Sequence, residues 1–345
     1  MKRLSLEFTQ PYQVTVIEES LPKPAPRQVL VRTICTGVSA GTEMLVYRGQ
    51  WPESLLLDET IPALARPFSY PLKYGYCAVG RIIEIGSELD RDWLNKKVFS
   101  FNPHESHFLA SPNELILLPD SLTAEEAVFL PNTETAISFV MDGRPLIGEQ
   151  VAVFGQGVVG LLTTASLARF PLARLATLDR YPFRRQRSVE FGAQESLDPT
   201  RPDVLEQLRQ LVGAELPGDG FDLSYELSGN PSALQQAISA TGFSGRIVIG
   251  SWYGGKRADL DLGGRFHRGR IKLISSQVSH VAPELTGLWT KSRRLEFALH
   301  MLEQLRPASL ITHRFSIRRA AEAYNLLDRV PEEAIQLIFT YEDVA

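Results

Sequence analysis

From residue 151 onward, short apolar runs alternate with longer stretches whose apolar positions recur at helical spacing. The runs 151–155, 174–179, 221–227, 245–250 and 272–278 read as strands, with helices over 158–170, 182–191, 202–212 and 231–241 between them. Asn230-Pro231 supports the last of these, an N-cap residue followed by proline at the first helical position. Such alternation predicts a doubly wound parallel sheet. The pattern ahead of it differs. Strand-like runs at 28–35, 78–85, 97–101 and 114–118 are short, irregularly spaced and punctuated by Gly and Pro, which predicts a small β-rich barrel. The proline-containing stretch 51–71 has no clear period and reads as a loop covering a cleft. Thr123-x-x-Glu126 is a capping box that opens a helix. After 278 come a helix (288–305), a strand-like run (310–317), a helix (319–329) and a last strand (334–341). These are too few for a third domain and are expected to return to the first. The predicted divisions are therefore 1–130, 131–280 and 281–345.

The junction of the first parallel strand and its helix carries the chemistry. Gly155, Gly157 and Gly160 form G-x-G-x-x-G, and Asp179 stands nineteen positions after Gly160 at the end of the next strand. In such a turn the first glycine makes the bend, the second lets backbone approach a pyrophosphate, and the third lets helix and strand pack closely. The helix N-terminus offers free N–H groups and partial positive charge to phosphate. Asp179 is placed to accept the hydroxyls of an adenosine ribose. Gln156, Val158, Arg180, Ser228 and Gly250 complete the expected cofactor contacts. The acid favours NAD over NADP, whose 2′-phosphate it would repel, while Arg180 and Arg184 leave a route by which NADP is tolerated.

Composition narrows the partners. With 44% hydrophobic residues, 22% charged and a net charge of −4, the chain is an ordinary globular one without the basic face that nucleic acid requires. Arg184-Arg185-Gln-Arg187 reads as a solvated helix face. No apolar stretch reaches the length of a membrane span and no signal-peptide core is evident. Two cysteines, Cys35 and Cys77, make no disulfide framework. The expectation is a cytoplasmic protein acting on a small-molecule substrate.

A β-rich first part, a Rossmann part and a C-terminal return together resemble the medium-chain dehydrogenase/reductase superfamily. Tyr225-Glu-Leu-Ser228-Gly229 and Gly245-Arg-Ile-Val-Ile-Gly250 look like its fourth and fifth Rossmann strands, and Ile311-Thr-His-Arg-Phe with Ala321-Glu-Ala-Tyr resembles its C-terminal signature. A narrower likeness, in Gly37-Val-Ser-Ala-Gly-Thr-Glu43, Lys73-Tyr-Gly-Tyr76, Pro103-His104, Glu134-Thr-Ala, Ser251-Trp-Tyr-Gly254, Phe266-His267 and Ser276-Gln-Val, is to the bacteriochlorophyllide dehydrogenase group. The resemblance implies a GroES-like barrel beside a Rossmann sheet, nicotinamide-dependent oxidoreduction of an alcohol or carbonyl, and a homodimer joined through the sheet edge at 272–278.

Where zinc enzymes of the superfamily carry their catalytic ligands, this chain has Ser39, Tyr76 and Asn132. A hydroxyl, a phenol and an amide suit Zn²⁺ poorly, and two cysteines cannot build the four-cysteine structural lobe. The expected enzyme therefore uses no zinc. Oxyanion stabilisation and proton movement then fall to side chains. Tyr76 either donates to a carbonyl or simply lines the cleft. Thr42 corresponds to the proton-relaying hydroxyl of the family, with the alignment open by one residue, and His107 is a candidate acid/base. Ser39, Glu43, Asn132, Trp252 and His267 are candidate substrate-side residues, Glu43 also reading as a loop anchor and Trp252 as a packed loop residue. His104-x-x-His107 would need a third ligand to hold a metal, and the sequence names none. Two other functions stay open: an NADPH-dependent quinone or enone reductase, and a nucleotide-binding protein without turnover.

Overall fold

In the computed structural model, which describes residues 1–52, 54–57, 64–216 and 218–342, the chain opens on an antiparallel hairpin, β1 (Lys2–Gln10) and β2 (Gln13–Ser20). Sequence reading placed the first strand only at 28–35. The hairpin's signal was the alternation Leu4, Leu6, Phe8, all buried, but Ser5 on the opposite face of the strand is equally buried, so burial does not follow the apolar/polar alternation. Ser5 is held there by charge. Its Oγ donates to Glu19 Oε1 at 2.6 Å, Arg3 bonds both Glu19 (3.1 Å) and Glu105 (2.9 Å), and Lys73 reaches the same two carboxylates.

Next come β3 (Val29–Val38), helix α1 (Ala40–Tyr47), β4 (Ala78–Ile85), β5 (Lys97–Ser100), β6 (His107–Ala110), β7 (Ile116–Leu117) and the short helix α2 (Ala124–Ala127). Part of the stretch 51–71 lies outside the described residues. The capping box at α2 is formed as predicted, with Thr123 Oγ1 accepting from the Glu126 N–H at 3.1 Å and Glu126 Oε2 from the Thr123 N–H at 2.8 Å. Helix α3 (Leu130–Gly143) follows.

The doubly wound part then runs β8 (Gln150–Phe154), α4 (Val158–Leu167), β9 (Arg174–Leu178), α5 (Pro182–Glu190), β10 (Glu195–Leu197), α6 (Val204–Leu211), β11 (Phe221–Glu226), α7 (Pro231–Ala240), β12 (Thr241–Ile249) and β13 (Lys272–Ser275). Its six strands lie in the order β10-β9-β8-β11-β12-β13, all parallel, which is the dinucleotide-binding order with its switch between β8 and β11. The fold is thus a Rossmann sheet together with a β-rich part. The three-residue β10 was not anticipated, since it is too short and too exposed to leave an apolar run. One core lies where Phe154, Leu178, Phe221 and Ile247 meet, and the other where Phe139, Val151, Tyr225 and Val248 meet.

Helix α8 (Lys291–Leu305), β14 (Ile311–Ser316), α9 (Ala320–Arg329) and β15 (Gln336–Thr340) end the chain. Strand β15 pairs antiparallel with β3, giving a sheet of order β14-β15-β3-β4-β5-β7 with β6 also on β3. Two compact units result, Met1–Pro131 with Leu299–Ala345, and Asn132–Ala298, against the 131–280 division expected for the second. In the first, Phe8, Tyr47, Trp51, Tyr74, Tyr324 and Phe339 form an aromatic-rich core.

The hairpin's ion cluster makes the β-rich unit acid-sensitive. Burial alone would raise the Glu19 carboxyl, but Lys73, Ser5 and Arg3 outweigh it and hold the carboxyl at about 2, against an ordinary 4.5. A depressed carboxyl stabilises the fold fully above its unfolded value and loses that contribution as pH falls from 4.5 toward 2. Glu19→Gln is expected to cost roughly 1–2 kcal/mol at pH 7, after allowance for solvent screening, and much less at pH 3. Thermal melts of both proteins at the two pH values check this; an equal loss at each would exclude the ion cluster as the cause.

Candidate functional site

In the Rossmann unit the glycine turn is built by exclusion. Strand β8 ends at Phe154 and Gly155 turns with φ +95°, a conformation side chains disfavour. A Cβ there would also lie 2.6 Å from the Ser228 backbone. A Cβ on Gly160 would lie 2.0 Å from the Gly155 carbonyl oxygen, so α4 can seat on β8 only without one. Around Gly157, the N-cap of α4, a Cβ would meet nothing within 4 Å, and no side chain caps the helix. The fold itself does not need glycine at 157. Open space beside an uncapped helix N-terminus, next to two sterically required glycines, is a geometry with room for an anionic group. Val158 opens the helix, partly exposed.

Asp179 follows β9 and is nearly buried. Its Oδ2 accepts from the Gln156 N–H at 2.8 Å and its Oδ1 from the Tyr181 N–H at 2.8 Å. Each oxygen keeps further acceptor capacity for a ribose hydroxyl. Beside it the Arg180 and Arg184 guanidinium groups stand 4.5 and 4.9 Å from the Tyr181 ring centre. The Gln156 side chain turns inward, accepting from Thr164 Oγ1 at 3.0 Å, so only its backbone belongs to the turn's outer face. Ser228 bonds through N and Oγ to Glu226 Oε1, at 2.8 and 2.5 Å, and Glu226 Oε2 accepts from the Tyr253 hydroxyl at 2.5 Å. Glu226 is fully buried and joins the loops after β11 and β12. Gly250 serves packing, because a Cβ there would strike Phe139 at 2.4 Å. Trp252 is 44% exposed on the loop after β12. His267 is exposed and precedes β13, which places it by the edge where the strands begin, opposite the glycine turn. Asn132 is buried near the start of α3.

In the β-rich unit, the Tyr76 hydroxyl bonds Ser39 Oγ and lies 3.4 Å from Thr42 Oγ1. Burial pushes the phenol well up, so it is a neutral donor at physiological pH. Glu43, fully buried, takes the Ser39 N–H at 2.7 Å through Oε1, while Oε2 meets His104 Nε2 at 3.1 Å and the Tyr324 hydroxyl. His104 Nδ1 is 2.7 Å from Thr36 Oγ1, which is 2.9 Å from the Tyr341 hydroxyl. Gly75 has φ +122° and a Cβ there would lie 2.8 Å from the His104 ring, so the residue before Tyr76 must be glycine for the ring to pass. Sequence reading singled out Ser39, Thr42, Glu43 and Tyr76, and they do share one cluster. His107 has a different partner, Ser106 Oγ at 3.2 Å, and stands opposite Arg32 on β3. Tyr324 and Tyr341 were missed; each is one aromatic among many, and only the fold brings them to the acid and the histidine.

The donor set suits zinc poorly. Ser39 and Tyr76 offer only neutral hydroxyls, bonded to one another, burial raises the Cys35 thiol to about 12 and the Cys77 thiol well above its ordinary value, and neither thiol readily becomes a thiolate. Among the described residues no group of three or more His, Cys, Asp or Glu side chains is arranged to hold a metal ion.

Comparison with known proteins gives the lineage. The family described as zinc-binding dehydrogenase matches residues 158–291. The uncharacterized zinc-type alcohol dehydrogenase-like protein YphC of Escherichia coli (strain K12) is 28% identical over 65% of this chain, and the chain spans 60% of YphC. (R,R)-butanediol dehydrogenase of Bacillus subtilis (strain 168) is 26% identical over 68% of this chain and 72% of its own. A 2R,3R-butanediol dehydrogenase structure from Bacillus subtilis superposes with a TM-score of 0.79 at 18% identity, over 98% of this chain and 99% of the other. The family match, the relatives and the shared fold make the chain similar to the zinc-type alcohol dehydrogenases of the medium-chain dehydrogenase/reductase superfamily. The relatives named are an alcohol dehydrogenase-like protein and a butanediol dehydrogenase, and the chain spans about three fifths of the first of them. No helix among the described residues is long and apolar enough to cross a membrane.

Gly157 and Gly160 separate binding from folding. Gly157→Val is expected to keep the melting temperature of the parent and lose NADH binding, read by calorimetric titration. Gly160→Ala is expected to lose stability as well, by roughly 1–3 kcal/mol for overpacking. A Gly157→Val protein that binds NADH normally would remove the phosphate cradle from the site.

Proposed function

We propose that this chain passes hydride between NAD(H) and an alcohol/carbonyl pair without zinc. The observation that carries the reading is the pairing of an open, uncapped glycine turn with Asp179. Gly157 and the first N–H groups of α4 would hold the pyrophosphate, and Asp179 the adenosine ribose. The nicotinamide ring, when bound, supplies or accepts the hydride.

The proton and the oxyanion fall to the hydroxyl cluster of the β-rich unit. Tyr76, kept neutral by burial, is the donor to a carbonyl oxygen. Ser39 and Thr42, both in reach of its phenol oxygen, are the groups that pass the proton on. Glu43 takes no proton in this scheme; it fixes the Ser39 N–H and so the start of α1. In the Rossmann unit, Trp252 and Asn132 are the substrate-side candidates, and Trp252 supports a bulky or planar substrate. The short edge strand β13 supports a homodimer through sheet extension.

An NADPH-dependent reduction is the second reading, favoured by the two guanidinium groups beside Tyr181. Parallel titration with NADH and NADPH separates the two, tighter NADH binding being expected.

Tyr76→Phe is expected to lower kcat roughly 10²-fold with NADH affinity unchanged, since only the hydroxyl's hydrogen bond is removed. Turnover of carbonyl substrates by the parent should persist after exhaustive chelation, with less than one equivalent of zinc by elemental analysis. Activity that vanishes on chelation and returns with Zn²⁺ would overturn the zinc-independent reading; an unaltered Tyr76→Phe rate would remove Tyr76 from it.

A further inference from the structure

The Rossmann unit contains a fully buried guanidinium whose task neither the glycine turn nor the sheet explains. Arg294, on α8, is 1% exposed, and its partner Glu134, on α3, is 3% exposed. All five N–H donors of the group are used. Nε and Nη2 reach Glu134 Oε1 at 3.2 and 3.0 Å, Nη1 reaches Ser138 Oγ and the His280 carbonyl oxygen at 3.1 Å each, and Nη2 also reaches the Val278 carbonyl oxygen. Burying a guanidinium is costly unless every donor is met, so this arrangement tolerates little displacement. What it fixes is the loop after β13. A second tie, from Ser276 Oγ to Asp142, binds the same loop to the same helix.

Sheet register says where that loop lies. Phe154 pairs with Glu226, Glu226 with Ile249, and Ile249 with Ser275, so the loop beginning at Ser276 leaves the same edge as the Gly155 turn. Helix α3 runs opposite to β12. Its last residue, Gly143, accepts from Arg246, which is level with the first residue of β13, and Phe139 packs at Gly250 just past the end of β12. The N-terminal turns of α3 therefore stand on the ligand side, by β12 and β13. Thr133 lies there, completely buried, and its hydroxyl has no hydrogen-bond partner among the described residues. A buried unpaired hydroxyl costs free energy that a ligand atom would recover.

A dinucleotide crosses such a sheet at its switch point, with its two halves on opposite sides of β8 and β11. Asp179, after β9, marks the adenosine side. The side of β12 and β13 is then the nicotinamide side. We infer that Arg294 is a positioning residue for the nicotinamide half of the cofactor: with Glu134 it locks the loop 276–280 to α3 and sets the wall, Thr133 included, against which the nicotinamide mononucleotide half sits. This rests on the dinucleotide reading given above and adds a residue far along the chain from its fingerprint.

The test compares NADH with ADP-ribose, which keeps the adenosine half and lacks nicotinamide. Calorimetric titration of the full chain is carried out for the parent, for Arg294→Lys, which keeps the charge but loses the fork, and for Arg294→Met with Glu134→Gln, which leaves no unpaired buried charge. NADH affinity is expected to fall at least about tenfold in the double variant and less in the lysine variant, with ADP-ribose affinity within about twofold of the parent. Equal losses for both ligands, or no loss of NADH affinity, would overturn the inference. The parent alone gives a second arm that needs no variant to fold. Hydrogen exchange across 276–281 should slow with NADH and stay unchanged with ADP-ribose, and equal slowing by both would overturn the assignment. A parent chain that binds neither ligand would defeat the dinucleotide reading itself, whereas one that binds both without the split defeats only the role of Arg294.

Discussion

The approach of Gly160 to the Gly155 carbonyl is the constraint on which the rest of the Rossmann unit depends. A Cβ on Gly160 would lie 2.0 Å from that oxygen, closer than any non-bonded contact allows. Its absence lets α4 begin directly behind the end of β8 and aim its first N–H groups along the sheet edge. Gly155, with its positive φ, turns the chain toward that start, and Gln156 donates its N–H to Asp179 on the neighbouring strand. Helix origin, turn and acid form one unit. Remove the close approach and the helix retreats from the strand, taking the anion-binding geometry with it.

Buried carboxylates serve as fasteners at several places in the described residues, each committed to fixed donors. Asp179 holds the backbone N–H groups of Gln156 and Tyr181; Glu226 holds Ser228 and Tyr253; Glu43 holds Ser39 N–H, His104 and Tyr324; Glu134 holds Arg294. A carboxylate buried without partners would neutralise or destabilise the fold, whereas one taking several N–H and O–H donors fixes the loops that supply them. This division of labour is economical in reactive groups. In the proposed scheme the neutral hydroxyls of Ser39, Thr42 and Tyr76, which lie near one another, are the groups that act on a carbonyl oxygen, and none of them is a strong zinc donor.

How much of this was legible in the sequence follows from how local each signal is. The parallel strands and their helices announced themselves through continuous apolar runs, and the capping box Thr123–Glu126 formed as its residues specify. The first hairpin was overlooked although Leu4, Leu6 and Phe8 alternate, because its other face, which carries Ser5, is buried by links to Lys73 and Glu105, distant in sequence. At the site, Ser39, Thr42, Glu43 and Tyr76 could be named from short motifs. His104 was noticed in the Pro103-His104 motif and in a histidine pair but given no role at the site, yet it is the histidine that joins Glu43, while His107 turns to Ser106. Two residues apart on an extended strand face the same way, but three apart do not, and no spacing rule chose between these two. His267 followed the fifth strand's motif closely in sequence, but the irregular segment between carries it back to the opposite edge of the sheet. Arg294 sits on a helix otherwise rich in charge, and nothing local distinguishes it from its solvated neighbours; only burial does.

The most direct test of the central claim is a crystal structure of the full chain grown with NADH. The account predicts pyrophosphate density against Gly157 and the first turn of α4, with the adenosine ribose hydroxyls on Asp179. Density for the dinucleotide elsewhere, or a turn left empty at saturating NADH, would contradict it.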